Sequence, residues 1–217
     1  MSAIISQMIM EETKHIIEFY NQTYKIFGES VRTLDWGSEN TQLLRFSILS
    51  EIGDLNGKSI LDVGCGFADL YDFLKDRFEN IKYTGVDITP TVLEIAQKKH
   101  PGLDLRLIDI LNSPIENYDY VLASGIHTVK VENNYEFAMR MIKKMYSICN
   151  VGVATNMISS QPKNSEYAEH VYSFSSSQVL NEVQKISDFA VIRHDYLPHD
   201  FTIYLYKKDY NERRKFK

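Results

Sequence analysis

The chain has 217 residues, 44% of them hydrophobic and 24% charged, with five prolines, a balance that suits one globular unit with a substantial core. A net charge of −5 gives no global positive field to gather nucleic acid, and the one basic cluster, Lys207, Lys208, Arg213, Arg214, Lys215 and Lys217, reads as a solvated tail. Neither a membrane span nor a signal peptide is expected, and Cys65 and Cys149 supply neither a disulfide framework nor metal-ligand spacing, so a reduced, cytoplasmic setting and no metal are expected.

In chain order, residues 4–27 predict an amphipathic helix, with Ile5, Ile9, Ile16, Phe19 and Tyr20 on one stripe and Glu11, Glu12 and Lys14 elsewhere. After Gly28 comes an irregular piece holding Leu34-Asp35-Trp36-Gly37. Ser38 then caps a second helix that runs to about Ile52 and stops at Gly53. Residues 1–55 are expected to form a helical cap, 56–207 the core and 208–217 the basic tail of a single domain, 1–217.

From Lys58 onward strands and helices alternate. Strands are expected at 59–63, 82–87, 103–108, 118–124 and 151–157, with helices at about 67–78, 90–99 and 133–149. Thr89-Pro90 supplies an N-cap and a proline at the first helical position. A loop over 158–174 is too long for a plain connector and is a candidate lid, with Tyr167 and Tyr172 as candidate pocket residues. One more helix carries Val179, Leu180 and Val183, and strands 189–196 and 201–206 form a hairpin through Leu197-Pro198-His199-Asp200. This is an α/β pattern: a Rossmann-like, doubly wound, mostly parallel seven-stranded sheet whose last strand is antiparallel. Ligands bind such sheets beyond the carboxyl ends of the strands.

The run Ile60-Leu61-Asp62-Val63-Gly64-Cys65-Gly66-Phe67-Ala68-Asp69-Leu70 reads as strand, Gly-x-Gly turn and helix. A dinucleotide site would want a third glycine where Asp69 stands, and Asp62 would repel a pyrophosphate while suiting a ligand with an ammonium group. Asp87 ends the second strand, where an acid can accept from both ribose hydroxyls, and Asp109 follows the third, placed to accept from an adenine amino group. Three acids after three strands describe a cradle for an adenosine with a cationic amino-acid arm: S-adenosylmethionine.

Residues 60–70 resemble motif I of the class I S-adenosylmethionine-dependent methyltransferases. Tyr83-Thr84-Gly85-Val86-Asp87-Ile88, Leu107-Ile108-Asp109-Ile110 and Tyr118 to Ile126 resemble the three motifs that follow. The resemblance covers about 55–207. Trp36-Gly37-Ser38 with Gln42 and Arg45, and Arg193-His194-Asp195-Tyr196 before Phe201-Thr202-Ile203-Tyr204, are similar to a bacterial small-molecule subgroup. By resemblance, Asp62, Gly64, Cys65 and Gly66 line the methionine arm, Asp87 holds the ribose and Ile88 packs on adenine. Asp109 and Ile110 bound the base, and Ser124 and Gly125 flank the sulfonium.

The donor is already activated, so the protein must align an acceptor, exclude water and remove a proton where needed. His127, three residues past the fourth strand, and His199, in the hairpin turn, are the candidate bases, with His194 behind them; in the subgroup the position of His127 is more often aromatic. Asp195 and Asp200 are candidates to orient a histidine or receive a polar acceptor. Trp36 is a candidate pocket wall, Tyr20 and Tyr24 share one helix face, and Arg45 could pair with a substrate anion or with Glu51 or Asp54. The expectation is methyl transfer to a hydroxyl, with an amine second, of a small polar metabolite such as a sugar. No nucleic acid or membrane partner is expected, and the oligomeric state is left open. A non-catalytic binding protein on the same fold, or a nicotinamide oxidoreductase, is the competing class.

Overall fold

The structure, a computed structural model, describes residues 3–162 and 167–213, with side chains from Glu12 onward; the side chains of Ile5, Ile9 and Glu11 and the tail beyond Arg213 lie outside what is described. Helix α1 (Ala3–Phe27) is followed by a short 3-10 turn (Val31–Leu34) and α2 (Glu39–Ser50). Then come β1 (Ser59–Val63), α3 (Asp69–Lys75), β2 (Lys82–Asp87), α4 (Pro90–Lys99), β3 (Asp104–Leu107) and β4 (Tyr118–Ala123). The chain continues through α5 (Asn134–Ser147), β5 (Cys149–Ile158), α6 (Ser176–Val183), β6 (Phe189–Leu197), β7 (Asp200–Tyr206) and α7 (Tyr210–Arg213).

One seven-stranded sheet runs in the order β3-β2-β1-β4-β5-β7-β6. The first five strands are mutually parallel, and β7 is antiparallel to both β5 and β6. Strand β6 lies at the sheet edge and pairs with β7 in the antiparallel hairpin expected from the sequence. Its hairpin with β7 turns at the carboxyl end of β5, because Asp200 lies opposite both Ile158 and Leu197.

Side-chain alternation along the central strands divides the core between the two faces of the sheet. Leu61, Val63, Val121, Ala123, Val153 and Met157 pack with Ala138, Ile142 and Met145 of α5 on one face. Ile60, Tyr120, Leu122, Ala154 and Tyr204 pack with Phe46 and Leu49 of α2 and Leu70, Phe73 and Leu74 of α3 on the other. Helix α2 is thus one of the sheet's covering helices rather than part of a separate cap. The Tyr204 hydroxyl donates to the carbonyl of Ile48, and that of Tyr206 to Ile52 at 3.0 Å, tying β7 to the end of α2 and the turn after it. Ser38 caps α2 as expected, its hydroxyl accepting from the Thr41 N–H.

Helix α1 lies over the carboxyl ends of the strands. Thr13 Oγ1 donates to Asp109 at 3.2 Å and Thr91 Oγ1 to Asn21 at 2.9 Å, while Arg140 of α5 pairs with Glu12. Glu12, expected on the polar face, is only 4% exposed; the guanidinium across from it explains the burial. The described parts of the segment after β5 are stitched down: the Ser160 N–H donates to the Phe174 carbonyl and the Phe174 N–H to Ile158, while Tyr172 N–H donates to the Thr128 carbonyl and Lys130 N–H to the His170 carbonyl, tying it to residues 128 and 130. Among the described residues no helix is long and apolar enough to cross a membrane.

Arg45 of α2 reaches β7 and pairs with Asp200, both nearly free of solvent contact. Asp200 also accepts from the Tyr196 hydroxyl at 3.1 Å. The sequence offered Glu51 or Asp54 as partners; Glu51 pairs with Arg193 instead. Breaking one side of a buried pair leaves an uncompensated charge, so Arg45→Met should cost about 3 kcal/mol of unfolding free energy. Adding Asp200→Asn should recover most of it. Urea titrations of the three proteins test this, and an Arg45→Met variant as stable as the wild type would contradict the assignment.

Candidate functional site

The strand order places β1 beside β4 with their following connections leaving in opposite directions, the arrangement that opens a crevice at their carboxyl ends. A cleft of about 1080 Å³, mouth included, occupies that crevice, roofed by Thr13, Ile16 and Tyr20 of α1. Asp62 and the turn Gly64, Cys65 and Gly66 line it from β1, and Asp87 and Ile88 from β2. Asp109 and Ile110 line it from beyond β3, Ser124 and Gly125 from β4, and Trp36 from the loop before α2. The structure brings these eleven residues to one cavity.

The turn is docked on β2. Gly64 N–H and Cys65 N–H both donate to the Val86 carbonyl, at 2.8 and 3.0 Å, and Gly66 N–H donates to Asp87 Oδ2 at 3.0 Å. Gly64 and Gly66 have φ of 70° and 57°, which glycine adopts without strain. With three successive N–H groups spent inside the protein, the turn offers a ligand surface and carbonyls but no nest for a pyrophosphate. Gly85 makes room for Cys65, whose Sγ would lie 2.9 Å from a Cβ at that position, so the thiol packs against β2.

Burial raises the Asp62 carboxyl to about 7, although Tyr83 O–H donates to its Oδ2 at 2.6 Å. A cation arriving at Asp62 would offset that desolvation. Burial likewise raises Asp87, opposed by the N–H groups of Thr89 (2.8 Å, on Oδ1) and Gly66; each oxygen keeps a lone pair for a ribose hydroxyl. Asp109 is busier. Leu111 N–H, Asn112 Nδ2 and Thr13 Oγ1 all donate to it, leaving about one acceptor position. Asp69, where a dinucleotide site would have glycine, ties Gln42 of α2 at 3.2 Å and Lys99 of α4 at 2.6 Å.

A second cleft of about 360 Å³ adjoins the first and shares Trp36 and Gly125 with it. Its polar lining is Asp35, Arg45, Thr128, Asn156 and Asp200. Trp36 is the partition. The Arg45 guanidinium stacks 5.0 Å from its ring centroid, and a Cβ on Gly125, whose φ is 81°, would sit 3.3 Å from its edge. Asn156 clamps the end of β4, accepting from Gly125 N–H at 2.8 Å and donating to Ser124 Oγ at 3.2 Å.

Neither candidate base lines either cleft. His127 is 3% exposed and packs edge-on to Phe174; both ring nitrogens are buried without partners, and desolvation lowers its pKa to about 3. The expectation of a base on the active-site side at His127 is therefore corrected: the ring is buried against the apolar core, as an aromatic residue would be. His199 contributes its backbone carbonyl to Ser159 N–H at 2.9 Å, and His194 Nε2 contacts the Pro198 carbonyl. The sequence reading passed over Asn156, which lies inside the strand as expected there, and over Asp35 and His170, whose side chains meet at 3.0 Å across 135 residues.

The chain's likeness to known proteins agrees with this geometry. Residues 60–152 match the family model described as a methyltransferase domain. The Mycobacterium leprae phthiotriol/phenolphthiotriol dimycocerosates methyltransferase is 26% identical over 64% of this chain and 51% of its own length. The Mycobacterium tuberculosis protein "Putative methyltransferase Rv1506c" is 26% identical over 69% of this chain and 93% of its own. The chain thus spans about half of the first relative and nearly all of the second. In fold it is similar to magnesium protoporphyrin IX methyltransferase of Synechocystis with bound SAH, at a TM-score of 0.62, 14% identity, 91% of this chain and 100% of that one.

Asp87 joins the turn to the cleft, so Asp87→Ala should weaken S-adenosylmethionine binding by about 1.5–3 kcal/mol, the scale of lost charge-assisted hydrogen bonds. Calorimetry reads this directly; an unchanged affinity would move the ribose elsewhere.

Proposed function

We propose that this chain is a class I S-adenosylmethionine-dependent methyltransferase and that it methylates a hydroxyl, with an amine as second choice, of a small polar metabolite such as a sugar. The carrying observation is the second cleft, small and polar, which meets the first at Trp36 and Gly125. In this reading the cofactor lies in the first cleft. Asp62 receives its ammonium, Asp87 its ribose hydroxyls, Ile88, Asp109 and Ile110 its adenine, and Ser124 and Gly125 flank its sulfonium. The chemistry it supplies is a methyl group already activated for displacement.

The acceptor occupies the second cleft, on the other side of Gly125, between Arg45, Thr128, Asn156 and Asp200. Trp36 orients it, and α1 with Trp36 keeps water from the reacting atoms. Holding two reactants in line accounts for much of the acceleration such a site needs. The Arg45 charge is already balanced by Asp200, which favours a neutral, hydroxylated acceptor over an anion. The three acids at Asp62, Asp87 and Asp109 favour turnover over a relic fold, and the spent N–H groups of the glycine turn disfavour a nicotinamide dinucleotide.

Two measurements test this. Incubation with methyl-labelled S-adenosylmethionine and a panel of sugars, polyols, phenols and amines should transfer label to a hydroxylated compound, detected by mass spectrometry; cofactor binding without transfer to any of them would sink the reading. Cofactor affinity should also depend on pH through Asp62. The ammonium needs the ionised carboxylate, and the free protein holds that carboxyl near 7, so affinity should rise from pH 5.5 to 7.5, by up to roughly thirtyfold. The Asp62→Asn variant should bind more weakly and lose the dependence.

A further inference from the structure

Two carboxylates line the second cleft, and their surroundings differ. Asp200 is 1% exposed, with one oxygen on Arg45 and the other on Tyr196, so both its oxygens serve the fold. Asp35 is held differently. It ends the 3-10 turn with φ 61°, a left-handed conformation that Asp and Asn tolerate better than other side chains. Its N–H donates to the Arg32 carbonyl at 3.1 Å, and the next N–H, of Trp36, donates to Val31 at 3.1 Å. The carboxylate is thereby fixed one residue from the ring that separates the two clefts.

Both Asp35 oxygens face a single nitrogen, His170 Nε2, at 3.2 and 3.0 Å, so acceptor capacity remains on each. The His170 ring is in turn stacked on Phe19 of α1, with centroids 4.9 Å apart, and its carbonyl accepts from Lys130 N–H at 2.8 Å. Tyr20, which lines the first cleft, has its hydroxyl pKa raised by burial and further by Asp35 and Asp87 together. Asp35 lines the second cleft, and its neighbours Leu34 and Trp36 line the first. Burial raises its own carboxyl and His170 opposes the rise. The charged and titratable groups around it are His170, Tyr20 on α1, and Arg45 and Asp200 across the cleft.

Resting on the acceptor site proposed above, we propose that Asp35 is the catalytic base of the transfer, taking the acceptor's hydroxyl proton, and that His170 is its positioning residue. The acceptor oxygen bonds to the methyl carbon as the sulfur–carbon bond breaks, and that electron pair stays on sulfur. The hydroxyl proton passes to the Asp35 carboxylate and from there to water. The products are a methyl ether, the neutral thioether and one proton. A base of this kind identifies the acceptor class: an unactivated hydroxyl, whose proton must be removed as the new bond forms.

The test compares the wild type, Asp35→Asn and His170→Gln with methyl-labelled S-adenosylmethionine and the hydroxylated acceptor on which the wild type is active. Asparagine keeps both the left-handed backbone and the shape of the side chain. Asp35→Asn should lower kcat by about 10²- to 10⁴-fold. Its affinity for S-adenosylmethionine, and for the acceptor in the presence of S-adenosylhomocysteine, should stay within about twofold by calorimetry. In His170→Gln the carboxyl loses the imidazole partner that opposes its raised pKa, so the acid limb of the kcat–pH profile, at saturating cofactor, should move to higher pH. An Asp35→Asn variant with kcat within threefold of the wild type would overturn the role of Asp35. An unmoved acid limb in His170→Gln would overturn that of His170. A wild type that labels no hydroxylated compound would overturn the underlying reading and this proposal with it.

Discussion

The Val86 carbonyl and the Asp87 carboxylate, side by side at the end of β2, take up the three N–H groups of the glycine turn that ends β1. The rest of the site depends on this docking. It fixes the left-handed glycines, sets the start of α3, and holds Asp62 and Asp87 on the same wall of the cleft. It also removes the donors that would attract a phosphate. A glycine turn of similar sequence with its N–H groups free would be an anion site; with them consumed, the electrostatics of the cleft are those of three carboxylates. Asp87 thus serves the fold through one lone pair on each oxygen and, in the proposed reading, the ligand through the others.

The second cleft is organised by a separate contact, the buried pairing of Arg45 with Asp200 beside Trp36. It links α2 to the β6–β7 hairpin, and the tyrosine hydroxyls of β7 reinforce that link from below. The result is a rigid floor for the second cleft, with its charges internally balanced. The roof is made differently, by α1 through isolated polar contacts: Glu12 to Arg140, Thr13 to Asp109, and Asn21 to Thr91. A packed floor and a hydrogen-bonded roof divide the labour expected of a site that must keep its geometry and still admit a ligand.

Most of the sheet was legible from the chain because strands and helices carry their own periodicity. β1 and β2 fall on the residues expected, and α4 begins at Pro90 and ends at Lys99 as expected. Helix α3 is shorter than its apolar pattern, 69–75 rather than 67–78, because Ala68 takes a left-handed conformation to complete the turn. The lining of the first cleft was legible for a related reason. Its residues follow directly on strand ends, and in a parallel sheet every strand end points to the same edge.

Residues on the other side of the site were not legible. His127 follows a strand as the rule requires, yet its loop turns the ring into the apolar layer against Phe174, where desolvation keeps it neutral. Asp35 and His170 carry no mutual signal, being 135 residues apart, one in a turn and one in a long loop. Arg45 and Asp200, 155 residues apart, were each visible, but their pairing was not. The amino-acid sequence by itself determined the strands, the glycine turn and the three acids, because those depend on local conformation and on the common direction of parallel strands. Only the tertiary structure decided which polar side chains face one another across the second cleft, because that depends on how α2, the hairpin and the loop after β5 pack, and such contacts leave no periodic trace in the chain.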